Sequence, residues 1–253
     1  MGEHRQVKTA VRVFSIVETV QRLDGARLVD ITDAEGISKG TAHQYLSTLT
    51  DLGYLRKDGH EYEVGIKFLN HGIHAREQYD IMSACRPTIK DLVTETGEIV
   101  WVVIEADGKA VYVDKIKSDR AVQTLAHIGT SAHLHYLASG KAILSQLSTD
   151  RVGEIIEQHG LPARTDQSIT SEDALFAELA EVREQGYAIN EGEATPGVRA
   201  VGAPVTVDGD VYGAISVTGP ENRLEDKTIH DRIVTPLLSA TNEIELKLGY
   251  QIS

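Results

Sequence analysis

Between Arg27 and Val64 the chain reads RLVDITDAEGISKGTAHQYLSTLTDLGYLRKDGHEYEV, an order of patterns that few folds accommodate. Leu28, Ile31 and Ala34 fall at three-residue steps, one face of a short helix. Ala42, Tyr45, Leu46, Leu49 and Leu52 repeat at three and four, the stripe of a second helix. The turn around Gly36 separates the two. Ser38 suits the N-cap of the second, and Gly53 stands where a left-handed C-terminal residue is wanted. Tyr54 to Lys57 and His60 to Val64 then flank Asp58-Gly59, a strong hairpin signal. Two short helices about a tight turn, followed by a hairpin, predict a winged helix-turn-helix.

The second helix turns Lys39, Gly40, Thr41, His43, Gln44, Ser47 and Thr48 away from its apolar stripe. These side chains are small, polar and rich in donors. A helix entering the major groove presents such residues to base edges while the preceding helix crosses the backbone. Gln44 suits an adenine, Lys39 a guanine edge or a phosphate, and Arg56 and Lys57 on the hairpin suit the sugar-phosphate backbone. The expected DNA-reading set is Lys39, Gly40, Thr41, His43, Gln44, Ser47, Arg56 and Lys57. The bland alternative is a packed subdomain; the short, nearly uncharged polar face argues against it.

Charge sits awkwardly with nucleic acid, because the net value is −13. Its distribution resolves much of the conflict. Residues 1–76 hold ten basic and ten acidic residues, so the whole excess falls on the remainder. A neutral head is still unusual, since phosphate neutralisation normally supplies most of the affinity. A host with a high-salt cytoplasm would account for both features, and DNA binding would then persist in molar KCl. With 253 residues and 41% hydrophobic content, one large domain or two ordinary ones can be packed. No apolar run approaches the length of a membrane span, and the N-terminus lacks a signal-peptide layout. The single cysteine, Cys85, excludes an internal disulfide. The expected location is the cytoplasm.

Lys8 to Asp24 predicts a first helix, with Val11, Phe14, Val17, Val20 and Leu23 at three-residue steps. This is more apolar surface than a three-helix head needs; either it is all core or part of it faces a second copy. Gly65 to Arg76 predicts a helix leading out of the head, with Gly65 and Gly72 allowing a kink or swing. Tyr79 to Cys85 and Thr88 to Thr96 predict helix on either side of a joint at Arg86-Pro87. Strand pattern follows at 99–105 and 110–116 around Asp107-Gly108, and Ala121 to His127 is read as a third strand. Helices are expected over 139–147, 150–159 and 171–185. Strands follow over 187–189, 198–207 and 211–218, and a closing helix over 228–248 is kinked at Pro236. This order predicts an α+β chain. Its domains are a head over 1–64, a linker helix over 65–80 and an antiparallel-sheet domain over 81–253.

Four segments, ISKGTAHQYLSTLTDLGYL, IGTSAHLHYLASGKAILSQL, GYAINEGEATPGVRAVGAPV and VYGAISVTGP, together resemble the IclR family of transcriptional regulators over roughly Val7 to Gly249. The resemblance implies a GAF-like effector-binding domain, assembly into a homodimer or homotetramer, and double-stranded operator DNA and a small metabolite as partners. It further implies control of catabolic genes for organic acids or sugars. Carried across, the effector pocket would involve Gly129, Thr130, Leu134, Gly140 and Ala142, with Asn190, Glu191, Ala200 and Ser216 completing the wall. Relatives commonly have Cys or a similar residue at Ala200, Asp at Asn190 and Arg at Gln44, so the resemblance does not fix the effector or the operator. Independently of the family, Gly197, Gly202, Gly213 and Gly219 in or beside strands suggest a bulge or a ligand approaching the backbone. Ser139-Gly140-Lys141 offers a helix N-terminus to a carboxylate; tight sheet-to-helix packing is the competing explanation.

Other constellations carry less. His127, His133 and His135, with Glu191 or Glu193, contain zinc-ligand residue types, but solvated histidines fit as well, and no metal or other cofactor is expected. Gly140-Lys141 is followed by Ala142, so it is no P-loop. Cys85 lies beside Arg86, yet a lone helix thiol is usually packing. No nucleophile–base–orienter set is present, so an enzyme is not expected. The rival reading is a small-molecule sensor or degenerate enzyme whose N-terminal domain mediates protein contacts.

Overall fold

A computed structural model describes residues 6–120, 126–225 and 229–252. The chain divides into two compact units, residues 1–75 and 76–253. The first opens with α1 (Lys8–Arg22), β1 (Ala26–Arg27), α2 (Leu28–Glu35) and α3 (Lys39–Asp51). A hairpin of β2 (Leu55–Asp58) and β3 (Glu61–Val64) follows, and β1 pairs with it to make a three-stranded sheet in the order β1-β3-β2. Helix α4 (Lys67–Glu77) leads into the second unit.

Local chemistry accounts for these elements. The Ser38 hydroxyl accepts the Thr41 N–H at 3.2 Å and starts α3, while Gly53, at φ +80°, stops it. The hairpin turn falls one residue later than the sequence suggests, on Gly59-His60. Gly59 alone takes positive φ, and Asp58 pairs with Glu61. The core gathers Ile16, Val17 and Val20 of α1, Ile31 of α2, and Leu46 and Leu49 of α3. Val11, Phe14, Leu23 and Leu52 from the expected stripes lie exposed instead, as does Ala34. A polar brace fixes α2 against α1. Arg12 Nη1 donates to the Glu35 carbonyl at 2.8 Å, and Ser15 and Thr19 each donate to its carboxylate at 2.7 Å. Burial acts to raise that carboxyl's pKa, but these hydrogen bonds and the Arg12 charge prevail and hold it low.

Gly65 is not a hinge. It is buried at the end of the wing, its N–H bonded to the Tyr54 carbonyl at 2.8 Å, and a Cβ there would lie 2.3 Å from the Gly53 carbonyl oxygen. The close approach of two backbones demands glycine.

The second unit is built on a six-stranded antiparallel sheet. Its strands are β4 (Ile99–Ala106), β5 (Lys109–Ile116), β6 (Ser131–His133), β7 (Ala188–Glu191), β8 (Val198–Val207) and β9 (Asp210–Pro220). Their order is β6-β5-β4-β9-β8-β7. Both faces are covered, which is why the central strands read as continuous apolar runs rather than alternating ones. Val100, Val102 and Ile104 of β4 pack with α5 (Ile81–Thr96) and the C-terminal α9 (Thr235–Ile252). Ile99, Trp101 and Val103 of the same strand face α6 (Ala138–Gln146), α7 (Thr149–His159) and α8 (Glu172–Gln185). The β4–β5 and β8–β9 turns, Asp107-Gly108 and Asp208-Gly209, have positive φ at both positions, the conformation that Asp-Gly favours.

Three expectations change. Helix α5 runs unbroken through Pro87, because that residue lies on the exposed face, where solvent can reach the carbonyl deprived of its donor. Near Pro236 the closing helix begins as a π-turn, His230–Val234, in which the Thr235 N–H reaches the His230 carbonyl. The third-strand assignment at 121–127 lies largely outside the described residues; β6, farther along, is the strand that pairs with β5. No described helix is long and apolar enough to cross a membrane.

Candidate nucleic-acid interface and ligand cavity

In the first unit Ala42, Leu46 and Leu49 anchor α3 in the core. The same turns leave Lys39, Gly40, Thr41, His43, Gln44, Ser47 and Thr48 exposed on one helix. Two of these are partly committed. The Thr41 hydroxyl lies 2.9 Å from that of Ser38, and the Thr48 hydroxyl donates to the Gln44 carbonyl at 2.8 Å. Among the described residues the side chains of Lys39, His43, Gln44 and Ser47 have no hydrogen-bond partner, and all four are exposed. Arg56 and Lys57 are exposed on the hairpin. Arg56 is paired across it with Glu63, and the Lys57 ammonium lies 5.3 Å from the Tyr62 ring centroid. Arg56 therefore shares its charge, which leaves Lys57 the freer cation of the two. Beside α3 an apolar groove of about 840 Å³ is lined by Val13 and Phe14 of α1, Leu52, Tyr54 and Phe68. Phe14 is 59% exposed at its edge.

In the second unit a cavity of about 460 Å³ opens between the sheet and the N-terminus of α6. Trp101, Tyr112 and Tyr136 form an aromatic wall, with Trp101 and Tyr112 edge-on at 4.8 Å between centroids. Thr130, Asn190, Ala200 and Ser216, four of the nine expected pocket residues, lie on its lining. The Asn190 amide donates to the Tyr136 backbone carbonyl, and the Tyr136 hydroxyl accepts the His133 N–H at 3.2 Å.

The other five do not line it, each for a visible reason. Leu134 and Ala142 are buried in the core under α6. Gly140 is pressed against the Leu134 backbone, where a Cβ would meet the carbonyl oxygen at 2.1 Å. Glu191 is paired with Arg199, and Gly129 sits in the turn before β6 with its N–H on the Tyr112 carbonyl. The suggested Ser139-Gly140-Lys141 cradle is correspondingly smaller, since only Ala138 and Ser139 of α6 reach the cavity. Of the four strand glycines, Gly197 and Gly219 line it, whereas Gly202 and Gly213 admit neighbouring backbone.

Sequence reasoning missed two features. Lys141 is turned inward and buried, its ammonium 2.7 Å from both Glu178 and Glu193. Burial raises the Glu193 carboxyl against the pull of Lys141. Arg164, on the loop between α7 and α8, lines the cavity. Nothing in the periodicity of that loop marks it.

His133 and His135 do not share one strand. His133 ends β6, His135 lies in the single turn that follows, and His159 packs at 6.2 Å from His133. His135 and His159 each bond a backbone carbonyl, of Pro162 and Asp107. Burial lowers the pKa of His133 and His135. No group of three or more His, Cys, Asp or Glu among the described residues is arranged to hold a metal. Cys85 is fully buried, and burial pushes its thiol up to about 12.

Known proteins match this architecture along its length. The family description "IclR helix-turn-helix domain" fits residues 9–59, and "Bacterial transcriptional regulator IclR C-terminal" fits residues 73–246. The probable HTH-type transcriptional regulator ArcR of Halobacterium salinarum is 32% identical over 252 residues, 98% of this chain and 96% of that protein. The crystal structure of the Thermotoga maritima IclR superimposes with a TM-score of 0.81 at 25% identity, covering 97% of this chain and 100% of that one. An IclR homolog from Microbacterium hydrocarbonoxydans, crystallised with 4-hydroxybenzoate, shares the fold with a TM-score of 0.81 at 20% identity, over 94% and 98% of the two chains.

Proposed function

This chain belongs to the IclR family of transcriptional regulators, and on that premise we propose that it reads operator DNA with the exposed face of α3 and answers to a small metabolite held in the cavity. It is a DNA-binding regulator rather than an enzyme. The rival reading, a sensor whose head serves only protein contacts, gives way because the head itself matches a helix-turn-helix family.

The observation that carries the DNA-reading assignment is the concentration of uncommitted donors on α3. Lys39, His43, Gln44 and Ser47 share an exposed face at the front of a helix whose opposite side is locked into the core. Lys57 on the wing holds phosphate, and Arg56 assists with whatever charge Glu63 leaves it. Gln44→Ala is expected to flatten preference at one base pair of each half-site, a loss of about 1–3 kcal/mol in discrimination. Lys57→Ala weakens every sequence alike and lowers the salt dependence by about one counterion. Gel-shift titrations over a panel of operator variants and salt concentrations check both. Equal losses on all variants from both substitutions would count against the assignment.

The cavity reading is supported by its concave shape, aromatic wall and few polar groups, the make-up of a small-molecule site. The Microbacterium homolog, which was crystallised with 4-hydroxybenzoate, has the same fold. Effector binding alters DNA affinity only if the effector binds the DNA-competent and incompetent states unequally. The natural screen is a thermal-shift panel of organic acids and sugar derivatives, chosen from the catabolic genes beside this one. The exposed apolar edge of α1, with Val11 and Phe14, suits a second copy, which makes the working unit a homodimer or a pair of them. The site of action is the cytoplasm, where operator DNA and catabolic intermediates meet.

A further inference from the structure

We propose that Arg164 is the counter-charge that makes this cavity selective for a monoanion with a flat apolar body, such as a ring carrying one carboxylate. The inference rests on reading the cavity as the effector site and adds the chemistry of what enters it. Among the described lining residues Arg164 is the one formally charged side chain, and no carboxylate is among them. The chain as a whole carries 38 acidic residues against 25 basic ones, so an acid-free wall with a single cation runs against its composition. No hydrogen bond or ion pair engages the Arg164 guanidinium among the described residues, whereas Arg12, Arg56, Arg86, Arg151 and Arg223 are each paired with a carboxylate.

The backbone beneath this arginine is held in place. The N–H groups of Arg164 and Thr165 both donate to the Ser168 hydroxyl at 2.9 Å. The Thr165 hydroxyl donates to the Gly192 carbonyl at 2.9 Å, and that of Ser168 to the Glu193 carbonyl at 2.8 Å. These bonds tie the arginine's loop to the segment whose Ala194, Thr195 and Gly197 line the same cavity. A planar guanidinium on a fixed base is suited to two parallel hydrogen bonds with one carboxylate. On the same lining, Trp101, Tyr112 and Tyr136 provide flat apolar surface. The two halves of the site thus call for one charge and one ring.

Calorimetric titration of the full-length protein with matched pairs, benzoate against benzamide and phenylacetate against phenylacetamide, separates charge from shape. The acids should bind wild type at least about tenfold more tightly than the amides. Arg164→Gln should abolish that gap while leaving amide affinity unchanged, and Arg164→Lys should retain part of it. An unchanged unfolding midpoint of the Gln variant, read from Trp101, shows that the fold survives. Acid and amide binding wild type alike, or a gap that persists in Arg164→Gln, would overturn the role of Arg164 and leave the cavity reading standing. Failure of all four compounds to bind would remove both.

Discussion

Lys141→Met is expected to destabilise the second unit by about 3–5 kcal/mol at pH 8, the effect of removing one partner from a buried ion cluster. Lys141 is 1% exposed, and its ammonium sits between Glu178 and Glu193. Glu178 is 30% exposed and can be rehydrated, so most of the loss comes from Glu193, whose second oxygen is buried without a partner even in the intact cluster. The effect must depend on pH. Burial already raises the Glu193 carboxyl above its ordinary value of 4.5, with Lys141 opposing. The native state therefore holds that proton more tightly than the unfolded chain, and stability falls as pH rises from 4.5 through the folded value. Without Lys141 the folded value climbs further, so the deficit should be large at pH 8 and shrink towards pH 5. Glu193→Gln in the Lys141→Met background should restore much of it. Trp101, the chain's single tryptophan, is buried in the second unit's sheet, so its fluorescence during denaturant unfolding reports this unit. A loss below about 1 kcal/mol, equal at both pH values, would mean that the cluster is hydrated.

Gly202→Ala should be nearly as damaging and more specific. Gly202 lies on β8, paired with Ser216 of β9 and Ala188 of β7. A Cβ there would stand 2.5 Å from both the Ala138 carbonyl carbon and the Ser139 nitrogen, with strands on either side preventing retreat. The helix N-terminus must lift, and with it the Ala138 and Ser139 edge of the cavity. Overpacking of this kind costs about 1–3 kcal/mol, and more where only backbone can yield. The expected outcome is a lower unfolding midpoint together with loss of effector response. Gly153→Ala on α7 is the contrast: nothing lies within 4 Å of its Cβ, and stability should rise by about 0.5–1 kcal/mol. Unchanged stability and effector response in Gly202→Ala would show that α6 is not seated as described.

The head was legible because its signals are local. Caps, turn residues and a three-to-four periodicity act within a few residues, and Ser38, Gly53 and the α3 face follow from them directly. What escaped was the distribution of charge in three dimensions. Glu35 looks like any acidic residue near a helix end, yet it braces α2 to α1 through Arg12, Ser15 and Thr19. Lys141 stands beside Gly140 and looks like part of a solvated helix start; its burial is set by carboxylates 37 and 52 residues away. Arg164 lies in a polar loop without periodicity, and only the ties to residues 192 and 193 bring it to the cavity. Trp101 and Tyr112 read as strand core, and they are; that one face of this core borders a cavity depends on where α6 begins. Gly65, Gly140 and Gly202 mark a related limit, because a close approach of two backbones leaves only the glycine itself in the sequence.

The central claim, that the front of α3 touches base-pair edges, can be tested by chemistry that this chain permits. Cys85 is buried with its thiol pushed up to about 12, so a cysteine placed at the exposed Ser47 can be labelled selectively with an iron chelate that cleaves DNA. Cleavage of operator fragments by Ser47→Cys protein should fall in a narrow cluster within each half-site, and it should scatter on unrelated DNA of equal length. Diffuse cutting on the operator, or none under conditions where the protein still shifts it in a gel, would contradict the account.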